Sequence, residues 1–210
     1  MSRLSPLYAI ADDDAATAAG WALDDLGIAY LNGGVRLLQI RSKRRGSREL
    51  LQIIERVVSR AREVGAEVIV NDRADLAVLA GAQGVHVGQT DIQPSVVRSI
   101  VGEDAIVGFS THTRDQVDAA SSLPISYLAV GPIFATGSKD TGYSPVGLDL
   151  LRYARERSTR PIVAIGGISL GNARPVLDAG ADAVAVISDL VATGHPAARV
   201  AEYLKNLAHV

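Results

Sequence analysis

Eight short apolar runs, each followed by a stretch with helical spacing, set the tightest limit on how this chain can fold. They are Leu7–Ala11, Leu37–Arg41, Glu67–Asn71, Gly84–Gly88, Ala105–Ser110, Tyr127–Ile133, Pro161–Gly166 and Ala183–Ser188. They read as continuous Val, Ile, Leu and Ala rather than as a polar–apolar alternation, the signature of parallel strands buried on both faces. The helical stretches are equally legible. Ser47–Val64 carries Leu50, Leu51, Ile54, Val57 and Val58 on one stripe and stops at Gly65. Leu148–Arg157 and Pro196–Leu207 repeat that pattern. A weak internal repeat links the units: LNGGVRLL (31–38), LAGAQGVHV (79–87) and LDAGADAVAV (177–186) each run helix end, glycine, small residue, strand. Gly33, Gly81 and Gly180 are expected to supply the left-handed residue that ends each helix. No composition shift or long linker divides residues 1–210, so the expected fold is a single-domain α/β (β/α)8 TIM barrel. The alternative, a doubly wound open sheet, would want a G-x-G-x-x-G after its first strand, and the chain has none there.

Composition narrows the function. Hydrophobic residues make up 48% of the 210, enough for a large core, yet the longest apolar runs are strand-sized and far short of a membrane span. The start, MSRLSPLYAI, lacks the apolar segment of a secretion signal, so a cytoplasmic location is expected. The absence of cysteine excludes disulfides, thiolate metal sites and a cysteine nucleophile. A net charge of −2 without a basic face argues against nucleic-acid or membrane-surface partners. The local run Lys43-Arg44-Arg45 fits a small anionic ligand better. Composition leaves monomer and homo-oligomer alike open.

In such a barrel the chemistry sits at the C-terminal ends of the strands. The stretch Val68–Asp91 is central, because it reads strand, helix, strand and sets Asp72 and Asp91 just past two strand ends on one rim. Two acids beside Asn71 and Gln89 suggest a site for a hard cation such as Mg2+; the alternative is that both acids cap helices or stand in solvent. The other strand ends carry Asp12-Asp13-Asp14, then Arg41-Ser42-Lys43, then Ser110-Thr111-His112-Thr113. They continue with a Gly/Pro-rich loop over 131–143 holding Thr136, Ser138 and Lys139, then Gly166-Gly167-Ile168-Ser169, and finally Ile187-Ser188. Gly166, Gly167, Ile187 and Ser188 fit the phosphate site usual after the last two strands, though the two glycines could also mark a simple tight turn. Arg41 and Lys43 lie two apart, on one face of a strand, and Lys139 approaches from the loop; three cations facing two acids suit a multiply charged anion bound with Mg2+. Surface ion pairing is the preferred reading for Arg44 and Arg45. His86, between two valines, reads as a core histidine, whereas His112 among hydroxyls is better placed for acid–base work. Tyr8, Phe109, Phe134 and Tyr143 are the aromatics able to lie against a flat heterocycle, with core packing the plainer use of each.

The motifs LYAIADDD, LQIRSK, VNDRADLA, GVHVGQTD, GFSTHT, VGPIFATGSKD, AIGGIS and AVAVIS, in that order along nearly the whole chain, resemble the thiamine phosphate synthase family. Members join an aminopyrimidine methyl diphosphate to a thiazole phosphate, giving thiamine phosphate and diphosphate. Carried over by position, the resemblance implies Asp72 and Asp91 as Mg2+ ligands. It implies Arg41, Lys43, Asn71 and Lys139 at the diphosphate, and Gln39 and Ser110 at the aminopyrimidine. Thr136, Ser138, Gly167, Ile187 and Ser188 fall at the thiazole phosphate. Arg41, Lys43, Lys139 and Ser110 would carry the catalytic roles in a dissociative reaction, in which the bond to diphosphate breaks before the thiazole nitrogen traps the pyrimidine methyl cation. Closure of the 131–143 loop is expected to keep water from that cation.

Two positions depart from the family pattern: Ser42 stands where many members carry Glu or Asp, and Ser138 replaces a common threonine while keeping its hydroxyl. Two rival functions remain. A thiazole tautomerase of the same superfamily would use the position of His112 but lack the acid pair. A non-catalytic barrel that binds a thiamine-pathway phosphate and regulates a partner would not need the full set of cations and acids.

Overall fold

A computed structural model describes residues 4–137 and 142–208. Eight parallel strands close into a barrel in sequence order: β1 (Leu7–Asp12), β2 (Leu37–Arg41), β3 (Glu67–Asn71), β4 (Gly84–Val87), β5 (Ile106–Thr111), β6 (Tyr127–Val130), β7 (Ile162–Ala164) and β8 (Ala183–Val186). Pairing of Leu7 with Val184 and Ala9 with Val186 joins the first strand to the last, so no edge is left open. Around this cylinder run α1 (Asp13–Ala18), α2 (Leu23–Asn32), α3 (Ser47–Val64), α4 (Ala74–Ala80) and α5 (Pro94–Val101). The ring is completed by α6 (Arg114–Ala120), α7 (Gly147–Arg157), α8 (Ala173–Asp178), α9 (Ser188–Val191) and α10 (Pro196–Leu207). The expected (β/α)8 barrel is therefore the observed fold, and none of the described helices is long and apolar enough to cross a membrane.

The two-residue period of a strand divides the core in two. Leu7, Ala9 and Ala11 of β1 face outward into the layer shared with the helices, together with Leu38, Val68, Val85 and Val107. Tyr8 and Ile10 face inward, and meet Leu37, Ile69, Ile106, Tyr127, Val163 and Ala183 inside the barrel. The inner layers are apolar toward the N-terminal end of the barrel and turn polar toward the other end. There Gln39, Arg41, Asn71, His86 and Ser110 are all buried.

Most strand limits match the sequence reading to within a residue, and the differences have local causes. β6 stops at Val130, three residues early, because Pro132 has no N–H to continue a ladder. The segment beyond it still tracks β7: Ile133 N donates to Ile165 O at 2.8 Å and Phe134 N to Gly166 O at 3.1 Å. The glycine expectation needs one correction. Gly81 and Gly180 adopt positive φ (65° and 113°), but Gly33 is right-handed at −73° and Gly34 takes the positive value, 105°. Gly33 is required for space instead: a Cβ there would lie 2.5 Å from the Ala197 carbonyl oxygen and 2.9 Å from Val200 Cβ, where α10 crosses the end of α2.

Candidate active site

The strand ends surround a pocket whose wall includes Tyr8, Gln39, Arg41, Asn71, His86, Ser110, Thr136 and Gly166. Each polar group arrives by the alternation of its strand. Gln39 and Arg41 are inward positions of β2, Asn71 is the last residue of β3, and Ser110 lies next to last on β5.

Arg41 is held from behind. Asp12 is its registered neighbour across β1 and β2, and the carboxylate takes a hydrogen bond from Arg41 Nη1 while also capping α1 through Ala15 N at 3.1 Å. That leaves Arg41 Nε buried without a partner, and the same holds for Nδ2 of Asn71. Leaving a buried donor unpaired costs about 1–3 kcal/mol, so two such donors at one pocket point to acceptor oxygens of a ligand. The rest of the β1–β2 rim is already paired. Asp13 accepts from Arg45 at 2.8 Å and from the Ser42 hydroxyl at 2.7 Å, and Asp14 takes Arg44. Arg44 and Arg45 thus form the ion pairs expected of them.

Asp72 and Asp91 do come together. Asp72 sits at φ 60°, a left-handed conformation rare outside glycine, which turns the chain sharply between β3 and α4. Lys43 Nζ donates to its carboxylate. Burial pushes the Asp72 carboxyl above the usual carboxylate range; Lys43 pulls it down, and the touching Asp91 carboxyl pushes it up again. Asp91 is itself fixed by Gly88 N at 2.8 Å. Neither acid caps a helix through its side chain. No group of three or more acids, histidines or cysteines placed to hold a metal ion lies among the described residues, so the pair suits a hard cation that completes its shell with water and ligand oxygens rather than a closed structural site. Gln89 is not available in full, since its Nε2 donates to Ser110 O at 2.7 Å.

The opposite wall is built on glycine. Gly166 and Gly167 take φ of 89° and 68°, and a Cβ on either would run into Pro132 (2.5 Å) or the Ala135 carbonyl oxygen (2.6 Å). Asn172 shapes this turn by donating to Gly167 O at 3.1 Å and accepting from Ser169 N at 2.8 Å. Ile187 precedes α9, whose first residue is Ser188. Asp189 then ties the two loops together by accepting from Leu170 N at 3.1 Å and from Arg199 at 2.9 Å.

Comparison with known proteins gives this geometry a family. A family model described as thiamine monophosphate synthase matches residues 7–190. A thiamine-phosphate synthase of Koribacter versatilis is 45% identical over 98% of this chain and 97% of its own length. One from Albidiferax ferrireducens is 40% identical over 92% and 89%. The chain belongs to the thiamine monophosphate synthase family. Among solved structures, the thiamine phosphate pyrophosphorylase of Pyrococcus furiosus superposes with a TM-score of 0.87 at 31% identity, covering 96% of this chain and 95% of that one. Membership makes the chain an enzyme, a transferase of thiamine biosynthesis.

Within the thiamine monophosphate synthase frame, the structure brings Gln39, Arg41, Asn71, Ser110 and Thr136 to one pocket and sets Lys43, Asp72 and Asp91 together on the rim. Gly167, Ile187 and Ser188 lie on the two adjoining loops, while Ser138 and Lys139 fall outside the described residues. His112 turns elsewhere: its Nδ1 lies 2.5 Å from the Gly131 carbonyl oxygen and its ring stacks on Tyr143 at 4.3 Å, away from the pocket wall. His86 is a satisfied histidine as expected, with Tyr127 OH and Ser110 Oγ each at 2.8 Å, but it also lines the pocket. Residue-type reasoning does not reach Asn172 and Asp189, and it places Asp12 on the rim without its partner Arg41. Of these, only Asp12 left a signal, in the run of three acids opposite the basic run of the next strand.

Proposed function

We propose that the chain condenses 4-amino-2-methyl-5-pyrimidinylmethyl diphosphate with 4-methyl-5-(2-phosphoethyl)thiazole, or its carboxylated form, releasing diphosphate and thiamine phosphate. The observation that carries this reading is the pair of buried, unpartnered donors, Arg41 Nε and Asn71 Nδ2, beside the contacting acids Asp72 and Asp91. Cationic and neutral donors on one side and a cation-seeking acid pair on the other are what a metal-bound diphosphate requires. Mg2+, held by Asp72 and Asp91, would supply positive charge against the oxygens of the leaving diphosphate.

The chain's own residues do the remainder. Arg41 and Asn71 hold the diphosphate oxygens, and Lys43 adds its ammonium once it is drawn from Asp72. Fixed donors of this kind lower the barrier as charge grows on the leaving oxygens. Gln39 and Ser110 orient the aminopyrimidine deeper in the pocket. Thr136, Gly167, Ile187 and Ser188 hold the thiazole phosphate, with Ser138 joining them and Lys139 reaching the diphosphate. The pyrimidine methyl cation formed when the C–O bond breaks is trapped by the thiazole nitrogen, so no enzymatic nucleophile is needed. Closure of the 131–143 loop keeps water out meanwhile.

The test is turnover. Purified protein receives both substrates and Mg2+, and thiamine phosphate and diphosphate are followed with EDTA-treated and Asp72→Asn samples alongside. Asparagine suits the left-handed backbone at position 72, so a loss there reports the carboxylate rather than the turn. We expect product only with metal, and a loss of at least about a hundredfold in the variant. No product from intact substrates would rule the reading out, and isomerisation of a thiazole precursor by the same preparation would put the tautomerase in its place.

A further inference from the structure

A continuous chain of hydrogen bonds crosses the floor of the pocket. Gln39 Nε2 donates to Tyr8 OH at 2.8 Å, Tyr8 OH lies 3.0 Å from Tyr127 OH, and Tyr127 OH lies 2.8 Å from His86 Nδ1. His86 Nε2 then reaches Ser110 Oγ at 2.8 Å. Five strands contribute one residue each, and all five side chains are buried, Tyr127 completely. The crossing is built for: a Cβ at Gly108 would fall 2.2 Å from Tyr127 OH and 2.6 Å from His86 Nδ1, so glycine there makes room for that bond.

We propose that this chain is a directional relay, running from Gln39 through Tyr8, Tyr127 and His86 to Ser110, that fixes which hydrogen-bond character each end shows a ligand. A hydroxyl that accepts from one neighbour has its proton for the next. Because Gln39 donates to Tyr8, the Tyr8 proton goes to Tyr127 and the Tyr127 proton to His86 Nδ1. His86 is then neutral with its proton on Nε2, which donates to Ser110 Oγ and leaves the serine proton for the pocket. At the other end, the Gln39 carbonyl oxygen is left to accept. Protonating His86 would place a donor at both ring nitrogens and turn Tyr127 back on Tyr8, which already accepts from Gln39. Burial raises both tyrosine hydroxyls well above their ordinary pKa, so they stay protonated members of the chain.

The pocket therefore offers an acceptor at Gln39 and a donor at Ser110, complementary to a heterocycle bearing an amino group and an unprotonated ring nitrogen. An oxo group with a ring N–H inverts that pattern. Resting on the function proposed above, this makes Tyr8, Tyr127 and His86 positioning residues that select the aminopyrimidine over its oxo analogue without touching the reacting atoms.

Two measurements test the relay. The first needs no substrate: long-range 1H–15N spectra of histidine-labelled, ligand-free protein near pH 7.5, with His86 assigned by its loss in His86→Gln. The relay expects a pyridine-type Nδ1 and a protonated Nε2; the opposite tautomer or an imidazolium would overturn it. The second compares Tyr127→Phe with the parent, after circular dichroism has shown both to be folded. The expected result is a rise of about tenfold in KM for aminopyrimidine methyl diphosphate with the KM for thiazole phosphate unchanged. Preference for the amino over the oxo pyrimidine should shrink by a similar factor. Equal loss toward both substrates, or an unchanged preference, would mean that Tyr127 is only structural. The expected tautomer in a protein that fails to turn over would overturn the function and leave the relay standing.

Discussion

Asp13 is a buried acid held in place by its partners. Burial pushes its carboxyl up, but the Arg45 guanidinium and the Ser42 hydroxyl more than offset this and hold it below the usual carboxylate range. A folded-state pKa below the unfolded value means stability that is present above about pH 4 and lost as pH falls through the folded value. Asp13→Asn should thus cost about 0.5–1 kcal/mol at pH 7, discounted for solvent screening, and less at about pH 3, as pH falls toward the lowered folded value. Urea titrations of both proteins at the two pH values would check this, and an equal difference at both would show the charge to be irrelevant. The same site shows where single residues could be read from the sequence. The position of Arg41, Lys43, Asp72 and Asp91 at the mouth was readable because charged residues at the ends of apolar strands have few other places to go. The role of Asp12 was not, since an acid just before a helix already has a capping role; here it fills that role and grips Arg41 as well. Tyr127 was hidden for the opposite reason. A tyrosine within an apolar strand looks like packing, and only the depth of Gly108 opposite it shows where its hydroxyl goes.

At the level of elements, the most consequential segment is the one joining β6 to α7. Both of its roots are fastened: Ile133 N and Phe134 N bond to the end of β7, and Val146 N donates to Pro132 O at 2.8 Å. The closure proposed above predicts that amide hydrogen exchange across 131–143 slows by about tenfold or more when both substrates are bound. Unchanged exchange would leave the pocket without a cover. Element positions were legible because short continuous apolar runs and 3.6-residue stripes differ so plainly in this chain, and α3 and α10 fall where the stripe places them. The joints were less so. Gly33 and Gly34 are adjacent, and local sequence cannot say which one turns the chain and which one clears space for α10; that depends on a helix 160 residues away.

The whole molecule is a cylinder whose two walls carry different chemistry, with ion-seeking groups over β1 to β4 and glycine turns over β6 to β8. If the first wall binds diphosphate, inorganic diphosphate with Mg2+ should stabilise the fold by mass action. At a hundredfold excess over Kd the gain is about 2.7 kcal/mol, or roughly 5–10 °C in Tm for a chain of this size. Diphosphate or Mg2+ alone should give much less, and no shift with both present would remove the diphosphate from this wall. The barrel itself was readable from the count of strands, since eight parallel units in one short chain have few other ways to bury both faces. The charge balance of its mouth was not, because it depends on who stands beside whom. Among the described residues, the basic groups Arg41, Arg44 and Arg45 each stand against an acid of the preceding strand end. Beyond the screening length of about 8 Å in physiological salt, the charges of these three pairs cancel. An approaching anion feels no long-range pull from them, so these pairs should add little ionic-strength dependence to its rate of encounter. Selection then falls to residence time: what matters is how long a molecule stays once it touches the floor of the pocket, and not how quickly it arrives.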